Sequence, residues 1–225
     1  ELGSRKVLIV TDNGIEASGL LSAIGDQLAT AGMEYEIFSE VEPNPKDHNV
    51  HAGAKIAKGL QADCLVAVGG GSPIDCAKAI AVLATHGGGV RDYEGGHKIS
   101  GNVLPLIAIP TTAGTGSEAT RNAVLSMPGR DGFKKSFRDE QLVPEYALLD
   151  PDLLASCPPP LIAADGMDAL TQLLESYVSS RANPMTDWIA ELASIVRASR
   201  LQRPVQLVWT REDDIKGGVY RPMAL

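Results

Sequence analysis

Short apolar runs and stretches with helical spacing alternate along the first half of the chain. Runs at 5–10, 34–39 and 65–68 are typical of buried parallel strands. Apolar residues recur at helical spacing over 20–28, and a second helix is predicted over 50–60. Because strands alternate with helices across short connections, we predict right-handed crossovers and an α/β fold, a doubly wound parallel sheet with helices on both faces.

The third predicted strand leads into three glycines and a Ser-Pro pair, Gly69, Gly70, Gly71, Ser72 and Pro73. A helix is predicted over 74–84, with Ser72 as its cap, Pro73 in its first turn and Asp75 at its third position. Glycines let a ligand approach the backbone, and free N–H groups at a helix start attract anions. The turn is therefore predicted to hold a pyrophosphate; a tight turn without a ligand is the alternative.

Other polar residues follow the first two strands. Ligands of such sheets bind at the carboxyl ends of the strands. Asp12 follows the first strand, where a carboxylate can accept hydrogen bonds from a ribose and repel a 2′-phosphate; capping a helix is its alternative role. Asn44 lies at the same edge, in a loop made rigid by Pro43 and Pro45.

A second candidate ligand loop follows the predicted strand over 104–109. Residues 110–118 read Pro-Thr-Thr-Ala-Gly-Thr-Gly-Ser-Glu, and their hydroxyls can donate and accept hydrogen bonds: Thr111, Thr112, Thr115 and Ser117. A solvated loop is the alternative, but a second such turn on one sheet favours a ligand. Short strands are expected over 123–127, 133–137 and 147–149. Lys134 and Lys135 either place a charge near a phosphate or carboxylate, or are simply solvated.

The pattern changes at Asp150-Pro151, and apolar residues recur at helical spacing from about residue 161. We therefore predict an α/β domain over 1–150 and the start of a helical domain over 151–197. Asp168 and Gln172 are four residues apart and share a helix face. Such a pair can hold a cation or a substrate hydroxyl, or it is merely a polar stripe.

Net charge, the length of the apolar runs and the cysteines exclude several classes of function. The 225 residues carry a net charge of -8, which argues against a nucleic-acid partner. No apolar run reaches membrane-spanning length, and the start is not a signal peptide. Cys64, Cys76 and Cys157 form no metal-like or redox-like pair, so free thiols in a reducing, cytoplasmic compartment are expected. The first residue is Glu1 and a strand begins almost at once, so a fragment is expected.

Residues 5–197 carry a series of motifs that resembles the iron-containing (group III) alcohol dehydrogenase family. The motifs occur in order at 9–12, 41–45, 69–75, 109–118 and 166–172, continuing to 182–184. The resemblance implies an NAD-dependent oxidoreductase that converts a small primary alcohol with the help of a divalent metal, iron or zinc. It implies that the two loops, Asp12 and Asn44 contact the cofactor and that Asp168 is the first metal ligand.

Two departures from that family concern the metal. Many members have His where this chain has Gln172, and a carboxamide is the weaker ligand for iron or zinc. The resemblance also implies two later His ligands, whereas the last histidine here is His97. The predicted metal site, Asp168 with Gln172, is therefore incomplete.

Residues 198–225 are instead similar to a segment of molybdopterin-dependent aldehyde and xanthine-type dehydrogenases. We interpret this as a chimeric junction near 198, with a native divergent C-terminus as the alternative. A helical domain interrupted after its first helices exposes apolar faces, so a homo-oligomer is expected.

Three functions follow from the sequence. The first is an NAD-dependent alcohol dehydrogenase, and the second is a catalytically incomplete fragment that binds NAD. The third is a metal-independent, maleylacetate-type reductase. A sugar-phosphate lyase of the dehydroquinate-synthase kind shares the architecture, but the motifs fit it less well.

Overall fold

A computed structural model of the protein describes residues 2–129, 132–155 and 157–190. The strands are β1 Lys6–Val10, β2 Glu34–Phe38, β3 Cys64–Gly69, β4 Gly95–Gly96, β5 Leu106–Pro110, β6 Asn122–Met127, β7 Phe133–Arg138 and β8 Tyr146–Ala147. The α-helices are α1 Asn13–Ala17, α2 Leu20–Thr30, α3 Asp47–Leu60, α4 Gly71–His86 and α5 Pro159–Val178, and residues 184–190 are also helical. The division at residue 150 and the proposed junction near 198 stay predictions, and the tail lies outside the described residues.

Five strands form one parallel sheet in the order β2-β1-β3-β5-β8. The predicted α/β fold with a parallel sheet is thereby confirmed. From β1 the chain moves to one side to form β2 and then crosses to the other side to form β3. The strand order therefore reverses between β1 and β3, and a crevice opens at their carboxyl ends.

The alternation of side chains along the strands explains why helices cover both faces. Leu8 and Leu65 belong to the cluster that contains the buried residues of α3 and α4, whereas Ile9 and Val66 pack with Leu21 of α2. Successive residues of a strand point to opposite faces, so each strand supplies both clusters. All six residues of β3 are buried, as expected for a central strand covered on two sides.

The strands after the threonine-rich loop form a second sheet. β6 and β7 pair antiparallel, and β4 joins β7 in the order β4-β7-β6. The predicted strands at 123–127 and 133–137 therefore exist, but they lie outside the parallel sheet. The strand expected at 147–149 is only β8, which pairs with β5 at the edge of the sheet.

The helix α5 lies largely in solvent. None of its residues is buried, and its large apolar side chains are exposed at Leu161, Ile162, Met167, Leu170, Leu174, Tyr177 and Val178. The expected self-association stays a prediction. Within the part of the chain that is described, no helix combines the length and the hydrophobicity needed to cross a bilayer.

Helices α3 and α4 approach closely at a glycine. A Cβ placed on Gly53 would lie 2.3 Å from Cδ1 of Ile80, whereas one placed on Gly59 of the same helix meets nothing within 4 Å. Gly53→Val should therefore lower the free energy of unfolding by about 1–3 kcal/mol through overpacking. Gly59→Val should change it by less than about 0.5 kcal/mol. Urea unfolding of both variants tests this; equal effects would show that helix packing does not require Gly53.

Candidate functional site

A cleft of about 1170 Å³ opens where β1, β3 and β5 end. Twelve of the thirteen residues predicted from the sequence to bind a cofactor or metal line it: Asp12, Asn44, Gly70, Gly71, Ser72, Asp75, Thr111, Thr112, Thr115, Ser117, Asp168 and Gln172. Gly69 lies directly behind the lining. The fold thus brings together residues that are up to 160 positions apart, and their assignment to a cofactor stays a prediction.

Gly69 makes the sharp exit from β3 possible. Its φ of 142° lies in a region that side chains disfavour, and a Cβ there would lie 2.7 Å from Cγ of Pro73. The helix α4 then begins at Gly71, with Gly70 as its N-cap and with no side-chain hydrogen bond to the cap. The N–H groups of this first turn are therefore directed at the cleft without a competing side chain.

The predicted capping by Ser72 is wrong. Because the helix starts at Gly71, Ser72 is its second residue and Asp75 its fifth. Glycine imposes no steric barrier to starting a helix, so the helix begins earlier than the apolar pattern indicates. The hydroxyl oxygen of Ser72 instead accepts a hydrogen bond of 3.2 Å from the backbone N–H of Asn44, which fixes the loop after β2 beside α4.

The threonine loop, residues 111–117, packs directly on the glycine turn. A Cβ on Gly70 would lie 3.2 Å from Oγ1 of Thr112, and one on Gly71 would lie 3.0 Å from Oγ1 of Thr115. Glycines at 70 and 71 therefore let the two loops meet. As a result, backbone N–H groups and threonine hydroxyls face the same volume.

Asp12 caps a helix, which the sequence analysis gave as its alternative role. Its Oδ1 accepts hydrogen bonds of 2.9 Å from the N–H of Gly14 and 3.0 Å from that of Ile15, so it caps α1. Its Oδ2 is 3.4 Å from the Cβ position of Gly69, at the switch point. Contact with a ribose stays a prediction, which the position of Asp12 in the cleft wall permits.

Lys134 is the one basic side chain among the described residues that line the cleft. Its Nζ donates a 2.6 Å hydrogen bond to Oδ1 of Asn44, a residue with a positive φ of 54°. Lys135, in contrast, pairs with Glu94. Only the first lysine of this pair is therefore placed to meet an anionic ligand.

Asp75 holds the threonine loop rather than the start of α4. One carboxylate oxygen accepts a short hydrogen bond from the hydroxyl of Ser117, and the other accepts one of 3.0 Å from the N–H of Val124. Burial raises the pKa of Asp75, and the hydrogen bond from Ser117 opposes that change. The half-buried carboxylate thus connects α4, the end of the loop and β6.

Lys78 shapes the cleft from behind the threonine loop, a contact that the sequence pattern did not predict. Its side chain is buried, and Nζ donates to the carbonyl oxygens of Ser117, Thr120 and Asn122 at 2.6, 2.7 and 2.8 Å. Nζ is also 3.9 Å from Oδ1 of Asp75. Burial lowers the pKa of Lys78 to about 8. The sequence feature that could have indicated this buried lysine is one charged residue in the otherwise apolar segment 76–83.

Asp168 and Gln172, the two residues predicted to bind a metal, are arranged differently from the prediction. Nε2 of Gln172 donates to Oδ2 of Asp168 at 3.0 Å and to the carbonyl oxygen of Gly114 at 2.9 Å. Gln172 therefore presents an N–H group, not an oxygen, to the carboxylate. Within the described ranges, no three His, Cys, Asp or Glu side chains are grouped as metal ligands would be. These residues do not fit the divalent-metal site that the sequence resemblance implies.

The cysteines are free, as expected. Cys64 and Cys76 are buried and Cys157 is half-buried in the cleft wall. Burial raises the pKa of the Cys64 thiol to about 11, and it also raises those of Cys76 and Cys157. None of the three is therefore an activated nucleophile.

Comparison with known proteins agrees with this architecture. The family model for iron-containing alcohol dehydrogenase matches residues 1–151. The NAD-dependent methanol dehydrogenase of Bacillus methanolicus is 41% identical over 190 residues, which cover 84% of this chain and 50% of that protein. Alcohol dehydrogenase 4 of Schizosaccharomyces pombe is 46% identical over 185 residues, which cover 82% of this chain and 44% of that protein.

A solved structure of 1,3-propanediol oxidoreductase is similar with a TM-score of 0.83 and 42% identity; the match covers 88% of this chain and 52% of that one. The chain therefore belongs to the iron-containing alcohol dehydrogenase family. It spans about half the length of the curated relatives that it matches.

The bonds of Lys78 predict a strong stability effect. Lys78→Met removes the ammonium that donates to the carbonyls of Ser117, Thr120 and Asn122 and leaves the Asp75 carboxylate without its cation, so the free energy of unfolding should fall by about 3–5 kcal/mol. Lys58→Met, on an exposed site of α3, should change it by less than about 0.5 kcal/mol. Denaturant unfolding measures both. If Lys78→Met were as stable as Lys58→Met, the buried ammonium would not hold the loop.

Proposed function

We propose that this chain supplies the cofactor-binding half of an NAD-dependent dehydrogenase that oxidises a small primary alcohol reversibly. One observation carries the proposal: the uncapped first turn of α4, the threonine loop and Asp12 meet at the switch point of a doubly wound sheet. The family and the NAD-dependent relative support it.

The diphosphate of the cofactor belongs at the first turn of α4. The N–H groups of Gly71 and Ser72 and the helix dipole attract an anion there, and Gly70 leaves room for close approach. The hydroxyls of Thr112 and Thr115, which pack on this turn, add donors at the same position. Lys134 contributes the positive charge on the side of Asn44.

Carboxylates in the cleft wall favour NAD over NADP. Asp12, Glu40 and Glu42 line the cleft. A carboxylate accepts hydrogen bonds from a ribose hydroxyl and repels a 2′-phosphate. We therefore assign the adenosine end of NAD to the side of Asp12 and the nicotinamide end to the side of the threonine loop and α5. When bound there, NAD accepts a hydride from the carbon that carries the substrate hydroxyl.

A metal-independent reductase of the maleylacetate type is the second candidate, and one specific observation favours it. The amide nitrogen of Gln172, not its oxygen, faces Asp168. Of the predicted pair, Asp168 alone is then left to bind iron or zinc, so metal-assisted chemistry needs ligands other than these two residues. An NAD-binding fragment without turnover is the third possibility.

The remaining assignments extend this proposal. Small alcohols or aldehydes are the proposed substrates, and a reducing cytoplasm suits the free, buried Cys64 and Cys76. The exposed apolar side of α5 supports a homo-oligomer. For residues 198–225 we keep, from the sequence alone, the hypothesis of a segment similar to molybdopterin-dependent dehydrogenases.

Ser72→Asp tests the diphosphate site. A carboxylate in the first turn of α4 favours the helix dipole but repels a bound diphosphate, so folding is retained while NAD binds about tenfold more weakly, roughly 1.4 kcal/mol. Ser22→Asp is the matched control because Ser22 lies in the first turn of α2, outside the cleft lining. Isothermal titration with NAD and NADP measures both affinities.

Equal NAD affinity in Ser72→Asp and Ser22→Asp would refute the proposed diphosphate site. Turnover with a primary alcohol separates the candidates. Activity that needs added iron or zinc supports the alcohol dehydrogenase, and activity that survives a strong chelator supports the metal-independent reductase. NAD binding without any turnover identifies the incomplete fragment.

A further inference from the structure

We propose that Gln172 is not a metal ligand in this protein but a positioning residue: its amide N–H groups join helix α5 to the threonine loop and so hold two walls of the cleft together. The proposal rests on the contact of Gln172 with Gly114 and Asp168. Its consequence for NAD binding rests in addition on the function proposed above.

The orientation of the Gln172 amide follows from its partners. Nε2 lies 2.9 Å from the carbonyl oxygen of Gly114 and 3.0 Å from Oδ2 of Asp168. A carbonyl and a carboxylate are both acceptors, and only the NH₂ group of a carboxamide can donate to both. The opposite rotamer would place an oxygen against two oxygens. The hydrogen-bond network therefore determines which side of the amide faces Asp168.

A second contact joins the same two segments. A Cβ on Gly114 would lie 2.7 Å from the carbonyl oxygen of Asp165 and 2.9 Å from its Cα, so the loop backbone packs directly on the backbone of α5. The N–H of Ala113 also interacts with the Asp165 carboxylate. Asp165, Asp168 and Gln172 are three and four residues apart and therefore share one face of α5.

The two segments form adjoining parts of the cleft wall. Thr111, Thr112 and Thr115 line it from the loop, and Asp168 and Gln172 line it from α5. Lys78 holds the far end of the loop, at Ser117 and Thr120, but it makes no bond to Gly114. Gln172, through Gly114, therefore fixes the middle of the loop to the helix, beside the contact of Asp165 with Ala113.

This arrangement and metal ligation make opposite demands on residue 172. A residue that links α5 to the loop must donate hydrogen bonds, whereas a ligand must offer a lone pair. To coordinate a cation together with Asp168, Gln172 would have to turn its oxygen towards the carboxylate and release Gly114. The two roles can therefore be separated by substitutions that offer only donors or only acceptors.

Gln172→Lys offers only donors, and Gln172→Glu offers only acceptors. The full chain is compared with both variants by hydrogen exchange of peptides from residues 111–120 without cofactor, and then by NAD titration. We expect Gln172→Lys to retain the protection and the NAD affinity. We expect Gln172→Glu to accelerate exchange and weaken NAD binding, each about tenfold, because two hydrogen bonds become repulsive contacts.

Gln27→Lys and Gln27→Glu are the matched controls. Gln27 lies on an exposed face of α2, away from the cleft lining, so neither substitution should alter the loop or the affinity for NAD. Any general effect of the added charge appears in these controls and can be subtracted.

Three results would overturn the proposal. The first is unchanged exchange of residues 111–120 in Gln172→Glu, and the second is an equal loss of protection in Gln172→Lys. The third is stoichiometric binding of Co²⁺, followed by its absorbance, that Gln172→Glu keeps and Gln172→Lys abolishes. If the unaltered chain binds no NAD, the proposed function fails, whereas the exchange measurement still decides the role of Gln172.

Discussion

The buried ammonium of Lys78 holds the segment 117–122 against α4, and the shape of the cleft depends on that contact. Three carbonyl oxygens converge on Nζ, and Asp75 balances its charge while also binding Ser117 and Val124. Removing a charged pair from water is costly unless each group is fully hydrogen-bonded, and here the backbone of the loop supplies the partners. The threonines of the loop can then pack on the glycine turn.

The glycine turn provides the second constraint. At Gly69 the backbone adopts a conformation that other residues disfavour, and at Gly70 and Gly71 the threonine side chains occupy the space of a Cβ. The start of α4 consequently has free N–H groups and no capping side chain. An anionic ligand can satisfy these groups, and the two loops line one cleft rather than forming two separate turns.

The helical side of the cleft differs from what the family resemblance implies. The parallel sheet and both loops agree with that family, whereas Gln172 faces Asp168 with its amide nitrogen. Under the proposals made above, the glycine turn and the threonine loop bind the cofactor, while α5 positions the loop. The exposed apolar side chains of α5 show that this wall is poorly covered in the described chain.

The local pattern of the sequence determined the strands, the helices and the polar residues at the strand ends. Continuous apolar runs identify β1, β2 and β3, and helical spacings identify the helices around them, because a parallel strand covered on both faces needs apolar side chains on both sides. The motif order also indicated the family. Local pattern could not reveal that β4, β6 and β7 form a separate sheet, since an apolar run predicts a strand but not the strand with which it pairs.

Only the tertiary structure decided the roles of individual polar side chains. Ser72 could cap a helix, but α4 already begins at Gly71, and the Ser72 hydroxyl accepts a hydrogen bond from the N–H of Asn44 instead. In the sequence, Lys78 is only one charge in an apolar helix. Its role in holding the loop is evident only from its three carbonyl partners, which lie some 40 residues away in the chain. Gln172 could offer an oxygen or a nitrogen, and the carbonyl of Gly114 selects the nitrogen. The sequence shows which side chains can form hydrogen bonds, whereas the fold decides which groups lie close enough to be their partners.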